Sequence, residues 1–392
     1  MNYLCARLLQ TALLLTQAPF ALAATTWYAN GVNGSDGHDC KSPLAACKTI
    51  GHAISLAASG DSIMVAAATY TEHLTIRVSL NVIGSGAGTT IIDGGSTGPV
   101  VEVYSPSTVT ISNVTIRNGR SINGGGVGNS GILTINHSSI SGNLAYSTFS
   151  SYGGGVFNGK GGNLTLNSST VSGNHAYGKV DAWGGGISSW GIATINNSTV
   201  SGNNVGSGSI TMTGHCGGAG INNGGGTLTI NNSTVAGNGG GLAFCFTEGG
   251  GILSDGVLTI SNSTISGNVA RQGGGIRGQA TLQNSLVANP NNFNCYGSMS
   301  AIFSLSSDNS CNLTGPGDKN NINPKLGTLG NYGGPTQTIP LLSGSPAIDA
   351  GDPSGCVDAQ GHRLTTDQRG LPRPDKEDTG GCDMGAYESQ GD

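Results

Sequence analysis

The chain has 392 residues, 69 of them glycine, and only 9% are Asp, Glu, Lys or Arg, against roughly 7% glycine and about 25% charge in an ordinary soluble domain. With 36% apolar residues and a formal net charge of −5, it is neither a disordered polyelectrolyte nor a basic nucleic-acid binder. Glycine does not recur at every third position, which excludes collagen, and the wealth of glycine and β-branched residues excludes long helices.

Residues 1–23 read as a secretory signal peptide: Arg7, an apolar run from Leu8 to Leu15, and a small-residue exit at Ala21-Leu22-Ala23. The run is shorter than the ~20 residues that span a bilayer, and no later segment is apolar for long enough, so no transmembrane segment is expected in the mature chain. A secreted or cell-surface location follows. Removal of Cys5 with the signal leaves eight cysteines. An even number in an exported chain favours disulfides, and the most local pairing is Cys40/Cys47, Cys216/Cys245, Cys295/Cys311 and Cys356/Cys382, although other connectivities remain open. No Cys-x-x-Cys occurs, so a zinc site is not expected.

Residues 24–98 are expected to form an N-terminal cap and first coils. Positions 49–57 carry apolar residues at helical spacing, Ile50, Ala53, Ile54 and Ala57 among them, where the open end of a solenoid needs a cover. Residues 99–290 hold an internal repeat. The run Leu133-Thr-Ile-Asn-His-Ser-Ser-Ile-Ser-Gly-Asn143 recurs at 164–174, 193–203, 228–238 and 258–268. Glycine clusters centred on Gly125, Gly154, Gly185, Gly218, Gly250 and Gly274 separate the copies by 29, 31, 33, 32 and 24 residues. Apolar residues alternate with Thr, Ser and Asn within each copy, the period of a half-buried strand. Such a unit cannot bury its own apolar face and must stack on its neighbours. The expected fold is all-β: a parallel β-helix with a short N-terminal capping helix and an irregular C-terminal cap. Hairpins of a propeller or sandwich are the disfavoured rival. Ile140, Val171, Val200, Val235 and Ile265 should form an internal column. Asn143, Asn174, Asn203, Asn238 and Asn268 should form a corner column, in left-handed backbone that Asn tolerates. Residues 291–392 are expected to form the last coils and an acidic, proline-bearing C-terminal region.

Three groups of residues resemble known families. Trp27-Tyr28-Ala29-Asn30-Gly31, Lys48-Thr49-Ile50, Gly60-Asp61-Ser62-Ile63 and Thr69-Tyr70-Thr71-Glu72 resemble the start of secreted right-handed β-helix proteins of the pectin-lyase-like superfamily, which implies a right-handed parallel β-helix here. The pairing of Gly153-Gly-Gly-Val156, Gly184-Gly-Gly-Ile187 and Gly249-Gly-Gly-Ile252 with aliphatic-x-x-Asn elements resembles the repeats of chlamydial polymorphic outer membrane proteins. Leu341-Leu342-Ser-Gly344-Ser345-Pro346-Ala347-Ile348-Asp349, Asp367-Gln368-Arg369-Gly370 and Asp383-Met384-Gly385-Ala386-Tyr387-Glu388 resemble the choice-of-anchor Q domain of bacterial secreted proteins. Relatives of that domain continue into an anchoring signal, whereas this chain stops at Asp392, so release or loose surface association is expected.

Many β-helices act on polysaccharides, and such chemistry needs paired carboxyl groups, or a base with a cation to hold developing charge. The repeats are nearly empty of ionised groups. The catalytic constellation that can be assembled is Asp181, Glu248 and Asp255 with Arg271, Arg277 and His215; solvated loop charge is the preferred reading of it. Aromatic residues in the variable segments, Tyr146, Phe149, Tyr152, Tyr177, Trp183, Phe244 and Phe246, should line up on one flank and suit the apolar faces of sugar rings or a partner protein. In the tail, Asp349, Asp352, Asp358, Asp367 and Asp383 offer ligands for calcium, but ion pairs with Arg363, Arg369 and Arg373 are favoured and no cofactor is expected. The expectation is an exported, non-catalytic, adhesin-like or glycan-binding protein whose partner is a polysaccharide, a host or cell-surface glycan, or a protein. A polysaccharide lyase or glycoside hydrolase is the alternative.

Overall fold

The computed structural model describes residues 23–208, 214–239, 245–289, 293–376 and 381–391. The expected signal peptide therefore lies, but for Ala23, outside the described residues, as does Phe244. The chain winds as a right-handed parallel β-helix with three walls. The first wall runs through eleven strands from Thr26–Ala29 to Met299–Ile302, the second through eleven from Ala68–Thr71 to Lys319–Asn320, and the third through nine from Leu74–Ile76 to Cys295–Tyr296. Every pairing between neighbouring strands is parallel and joins equivalent positions of successive repeats, as in Leu133↔Leu164 and Ile140↔Val171.

Alternation does the packing. Ile140, Val171, Val200, Val235 and Ile265 point inward and are fully buried, as are Ile135, Leu166, Ile195, Ile230 and Ile260 on the first wall and Val127, Val156, Ile187, Ile221 and Ile252 on the third. Such columns bury apolar area at every rung, at about 25 cal/mol per Å².

The two halves of the repeat motif meet in space. Asn143, Asn174, Asn203, Asn238 and Asn268 are each 1% exposed and form a ladder. Asn174 Nδ2 donates to Asn203 Oδ1 at 3.0 Å and to the Ile140 carbonyl at 2.9 Å, while the Asn174 backbone N–H donates to the same Oδ1. With Asn174 Oδ1 accepting from Asn143 N and Nδ2, every polar atom of the amide is used, as burial demands. The third glycine of each cluster lies against this ladder: a Cβ on Gly186 would stand 2.9 Å from Asn203 Nδ2 and 2.6 Å from the Gly220 carbonyl oxygen. That close approach is why a glycine stands at the third position of the cluster facing each terminal Asn, even where the middle residue is Ala219.

The left-handed backbone is not on these asparagines. It falls on the preceding glycines, Gly142, Gly173, Gly202, Gly237 and Gly267, at φ between +62° and +68°. Glycine takes that conformation without a Cβ penalty, which frees the Asn side chain to turn inward. Left-handed Asn does occur, at the corner between first and second walls, at Asn197, Asn232 and Asn262. There a serine follows, and its hydroxyl accepts from the preceding rung, as Ser198 Oγ does from Ser169 N at 3.0 Å. The Asn-x-Ser/Thr triplets are thus corner, hydroxyl ladder and strand in succession.

The variable segments form an ordered wing of two four-stranded parallel sheets, one from Arg120–Ser121 to Asn204–Ser207 and one from Ser151–Tyr152 to Cys245–Glu248. Their facing sides bury Ala145, Ala176, Val205, Ala182 and the Cys216–Cys245 disulfide, side chains small enough to let the sheets close. The sulfurs of Cys40 and Cys47, of Cys295 and Cys311, and of Cys356 and Cys382 are also bonded.

The helix Ile50–Leu56 covers the N-terminal opening, burying Ile50 and Ala53. Thr49 caps it by accepting from His52 N, and the Glu72 carboxylate accepts from Ile50 N and Gly51 N. At the other end the chain does more than cap. After the strand Lys319–Asn320 it turns back along the second wall, where Gln368 Nε2 reaches Thr199 Oγ1 at 2.9 Å and Asn262 Nδ2 donates to the Val357 carbonyl.

Candidate functional site

The six candidate catalytic residues do not converge on one point. Glu248 and Asp255 share a single guanidinium, with Arg277 Nη2 3.6 Å from Glu248 Oε1 and Arg277 Nη1 3.0 Å from Asp255 Oδ1. Asp181 is spent locally: its Oδ1 accepts from His215 N at 2.9 Å and its Oδ2 from Ser150 Oγ at 3.1 Å. The His215 side chain is not part of that contact. Arg271 lies 5.9 Å from the Phe246 ring centroid. Two carboxylates held by one arginine form a compact surface ion cluster, with Asp255 61% exposed at its side chain and Glu248 only 13%.

The aromatic residues do not share one flank, because successive residues of a strand point to opposite sides and the wing has two outer faces. On one face Tyr146 and Tyr177 stack on each other, with centroids 5.7 Å apart and planes within 2°, beneath the Arg120 guanidinium. His175 meets Tyr177 edge-on, and burial holds its imidazole below the ordinary histidine range. Tyr152 and Trp183 lie in register on the other face. Trp183 leans on Gly217, where a Cβ would stand 2.9 Å from its ring. Phe149 is exposed and Phe246 half-buried.

The sheet bearing Tyr152 folds toward the third wall, and there an aromatic corner forms that the sequence reading missed in part. Tyr152 meets Phe157 at 6.3 Å and Trp190 at 6.0 Å, the latter at 72°. Trp190 lies face-on against Gly224 of the next coil: a Cβ there would stand 2.8, 3.0 and 3.1 Å from three of its ring atoms. The residue nevertheless stays 42% exposed. Phe157 could have been found from the period of two, since it is the middle, outward residue of the strand Val156–Asn158. Trp190 gave one signal, a glycine at 224 in the following repeat that vacates space for the ring.

The tail acids are tied into the fold. Asp367 pairs with Arg369 at 2.7 Å, Glu388 with Arg373 at 2.6 Å, and both pairs are buried. Asp383 accepts from Asp349 N and Ser389 N, and Asp358 from Gln360 N and His362 N. Among the described residues the grouping with metal-ligand spacing is Cys40, Cys47 and His52, whose sulfurs are already bonded to each other. No helix among the described residues is long and apolar enough to cross a membrane.

No family model and no curated protein matches the chain. Among solved structures it is similar to the pectate lyase Pel9A, at 14% identity and a TM-score of 0.59, covering 94% of this chain and 98% of that one. XylC, solved with xylose, matches at 9% identity and a TM-score of 0.43 over 93% of this chain and 98% of its own. The pectin methylesterase PemA from Erwinia chrysanthemi matches at 16% and 0.28 over 75% and 82%. What the chain shares with the pectate lyase, along nearly its whole length, is the right-handed parallel β-helix fold.

Proposed function

We propose that this protein is an exported, non-catalytic β-helix that binds glycans at a surface, through the aromatic corner of Trp190, Tyr152 and Phe157. The observation that carries this reading is Trp190, seated against the Gly224 backbone and still 42% exposed. A sugar ring offers an apolar face of C–H groups, and a fixed, half-exposed indole is a platform for it at little ordering cost. The occupation of Asp181, Glu248 and Asp255 by local partners supports binding over hydrolysis, which needs two carboxyl groups free to exchange a proton or attack. Four disulfides support an oxidising, extracellular setting. The resemblances of the repeats to polymorphic outer membrane proteins and of the tail to choice-of-anchor Q domains support surface display, with a host or cell-surface protein as the alternative partner.

The test is affinity electrophoresis of the mature protein against homogalacturonan, alginate, xylan and hyaluronan, alongside assays for unsaturated products and new reducing ends. Retention without products is expected, and Trp190→Ala should weaken it roughly 5- to 30-fold, the equivalent of one or two kcal/mol. Turnover that disappears in Glu248→Gln would assign a lyase or hydrolase instead. Retention indifferent to Trp190→Ala would remove the aromatic corner from the account.

A further inference from the structure

The second wall carries an outward row of hydroxyls in register: Thr115, Ser139, Thr170, Thr199, Thr234 and Thr264. The tail sits on one end of it. Thr199 Oγ1 donates to the Gln337 carbonyl at 2.6 Å, Thr234 Oγ1 to Gln368 Oε1 at 2.6 Å, and Thr264 Oγ1 accepts from Ala386 N at 3.0 Å. At the other end Thr115 Oγ1 donates to the Ala87 carbonyl at 2.6 Å. Between these two chain segments Ser139 and Thr170 are half-buried, and their hydroxyls bond to no other described residue. They form the floor of a notch of about 450 Å³, with Ala87 on one side and Pro335, Thr336 and Gln337 on the other. From Thr115 to Thr199 is three rungs, about 14 Å at a strand spacing of ~4.8 Å.

We propose that this notch is a second binding site, for a neutral oligosaccharide of two or three units. It lies on a different wall from the aromatic corner and does not depend on that reading. The row is shown to bond a polar polymer, since it already holds the tail. The lining carries no Asp, Glu, Lys or Arg, and its one ionisable side chain is the exposed His137, so a uronate or a phosphate entering it would lose water without meeting a permanent counter-charge. An apolar ligand would strand the hydroxyls of Ser139, Thr170 and Ser172. A serine or threonine hydroxyl both donates and accepts, which matches ligands built of hydroxyls. The tail is itself peptide, but it is held on this row with the help of its own buried ion pairs; a free peptide lacks that tether, and the wall's N–H and C=O groups, paired within the sheet, offer it no strand to join.

Calorimetric titration of the mature protein with cellotetraose, xylotetraose, mannotetraose, chitotetraose and tetragalacturonate tests this, with the peptide Gly-Gly-Pro-Thr-Gln-Thr-Ile, the sequence of residues 333–339, as a further probe. At least one neutral tetrasaccharide should bind at a single site, at least tenfold tighter than tetragalacturonate. Ser139→Trp, which fills the notch, and Thr170→Lys, which projects from its floor, should each weaken that binding at least tenfold with unchanged thermal unfolding. Trp190→Ala should leave it as it was. The proposal is overturned if none of the four neutral sugars binds, if only the peptide binds, or if sugar binding survives both notch substitutions or is lost with Trp190.

Discussion

Asp61 shows how one side chain closes the N-terminal end. It is 4% exposed, and its carboxylate accepts from Thr25 N at 2.7 Å, Ala58 N at 2.8 Å and Trp27 Nε1 at 2.9 Å. Burial alone would raise its pKa, but these three donors outweigh it and hold the carboxyl below its ordinary value. Because the folded value is lowered, the stabilisation is complete above the ordinary carboxylate range and is lost as pH falls through the folded value. Asp61→Asn turns an acceptor into a donor facing donors. It should cost about 1–3 kcal/mol at pH 7, with the gap to the parent protein narrowing as urea unfolding is repeated toward pH 3. A gap constant across that range would mean that the carboxylate charge contributes nothing. Trp27, Asp61, Tyr70 and Glu72 were legible only as a resemblance. Their work is strand-to-helix closure, with Tyr70 Oη donating to the Ala66 carbonyl and accepting from Gly31 N.

At the scale of the rung, two ladders of the same residue type differ in burial. Asn203 is inside, with Nδ2 donating to the Val171 carbonyl and to Asn238 Oδ1, and Oδ1 accepting from Asn174. Asn167 is outside and half-buried, donating to Asn136 Oδ1 and accepting from Asn196 Nδ2. Asn203→Ala strands buried partners on both neighbouring rungs and should cost about 2–4 kcal/mol, whereas Asn167→Ala leaves its partners to water and should cost less than about 1 kcal/mol. Equal losses in thermal unfolding would deny the inner ladder its role. Strand alternation and stacking were legible because identical residues recur and period two assigns their faces. Which corner residue turns left-handed was not, since Gly142 and Asn143 both tolerate that backbone and only the packing of Gly126 on the Asn143 amide decides. The wing escaped notice because its strands vary between copies and its interior of alanine and cysteine leaves no strong apolar period. In the sequence the aromatic residues consequently suggest one flank, while the corner with Phe157 and Trp190 depends on the fold of wing against wall.

At the scale of the molecule, the tail binds rungs far away in sequence, so no local pattern could announce its course: Gln368 and Thr199 are separated by 169 residues. Its anchor is buried. Arg373 donates to Glu388 Oε2 at 2.6 Å, to the Gly385 carbonyl at 2.8 Å and to Asn232 Oδ1 on the wall at 3.1 Å. Burial, with Asp383 nearby, pushes the Glu388 carboxyl up to about 8 against the pull of Arg373. A raised acid holds its proton more tightly when folded. The tail should therefore be most firmly docked below the ordinary glutamate range and loosen as pH rises from about 4.5 to about 8. Arg373→Met takes the shared donor from Glu388, the Gly385 carbonyl and Asn232 and leaves an acid without its partner in the interior, a loss of about 1–3 kcal/mol, which would release the tail while the coils stay wound. Hydrogen exchange should then rise across residues 357–389 and at Thr234 and Thr264, with the inner columns at Ile195 and Ile230 still protected. Replacing both partners, Arg373→Met with Glu388→Leu, removes the stranded polar group and should restore part of the protection. If the double variant is no better than the single, the pair is not what fixes the tail, and the hydrogen bonds of Gln368 to Thr199 and Thr234, with that of Asn232 Nδ2 to the Thr366 carbonyl, must hold it instead.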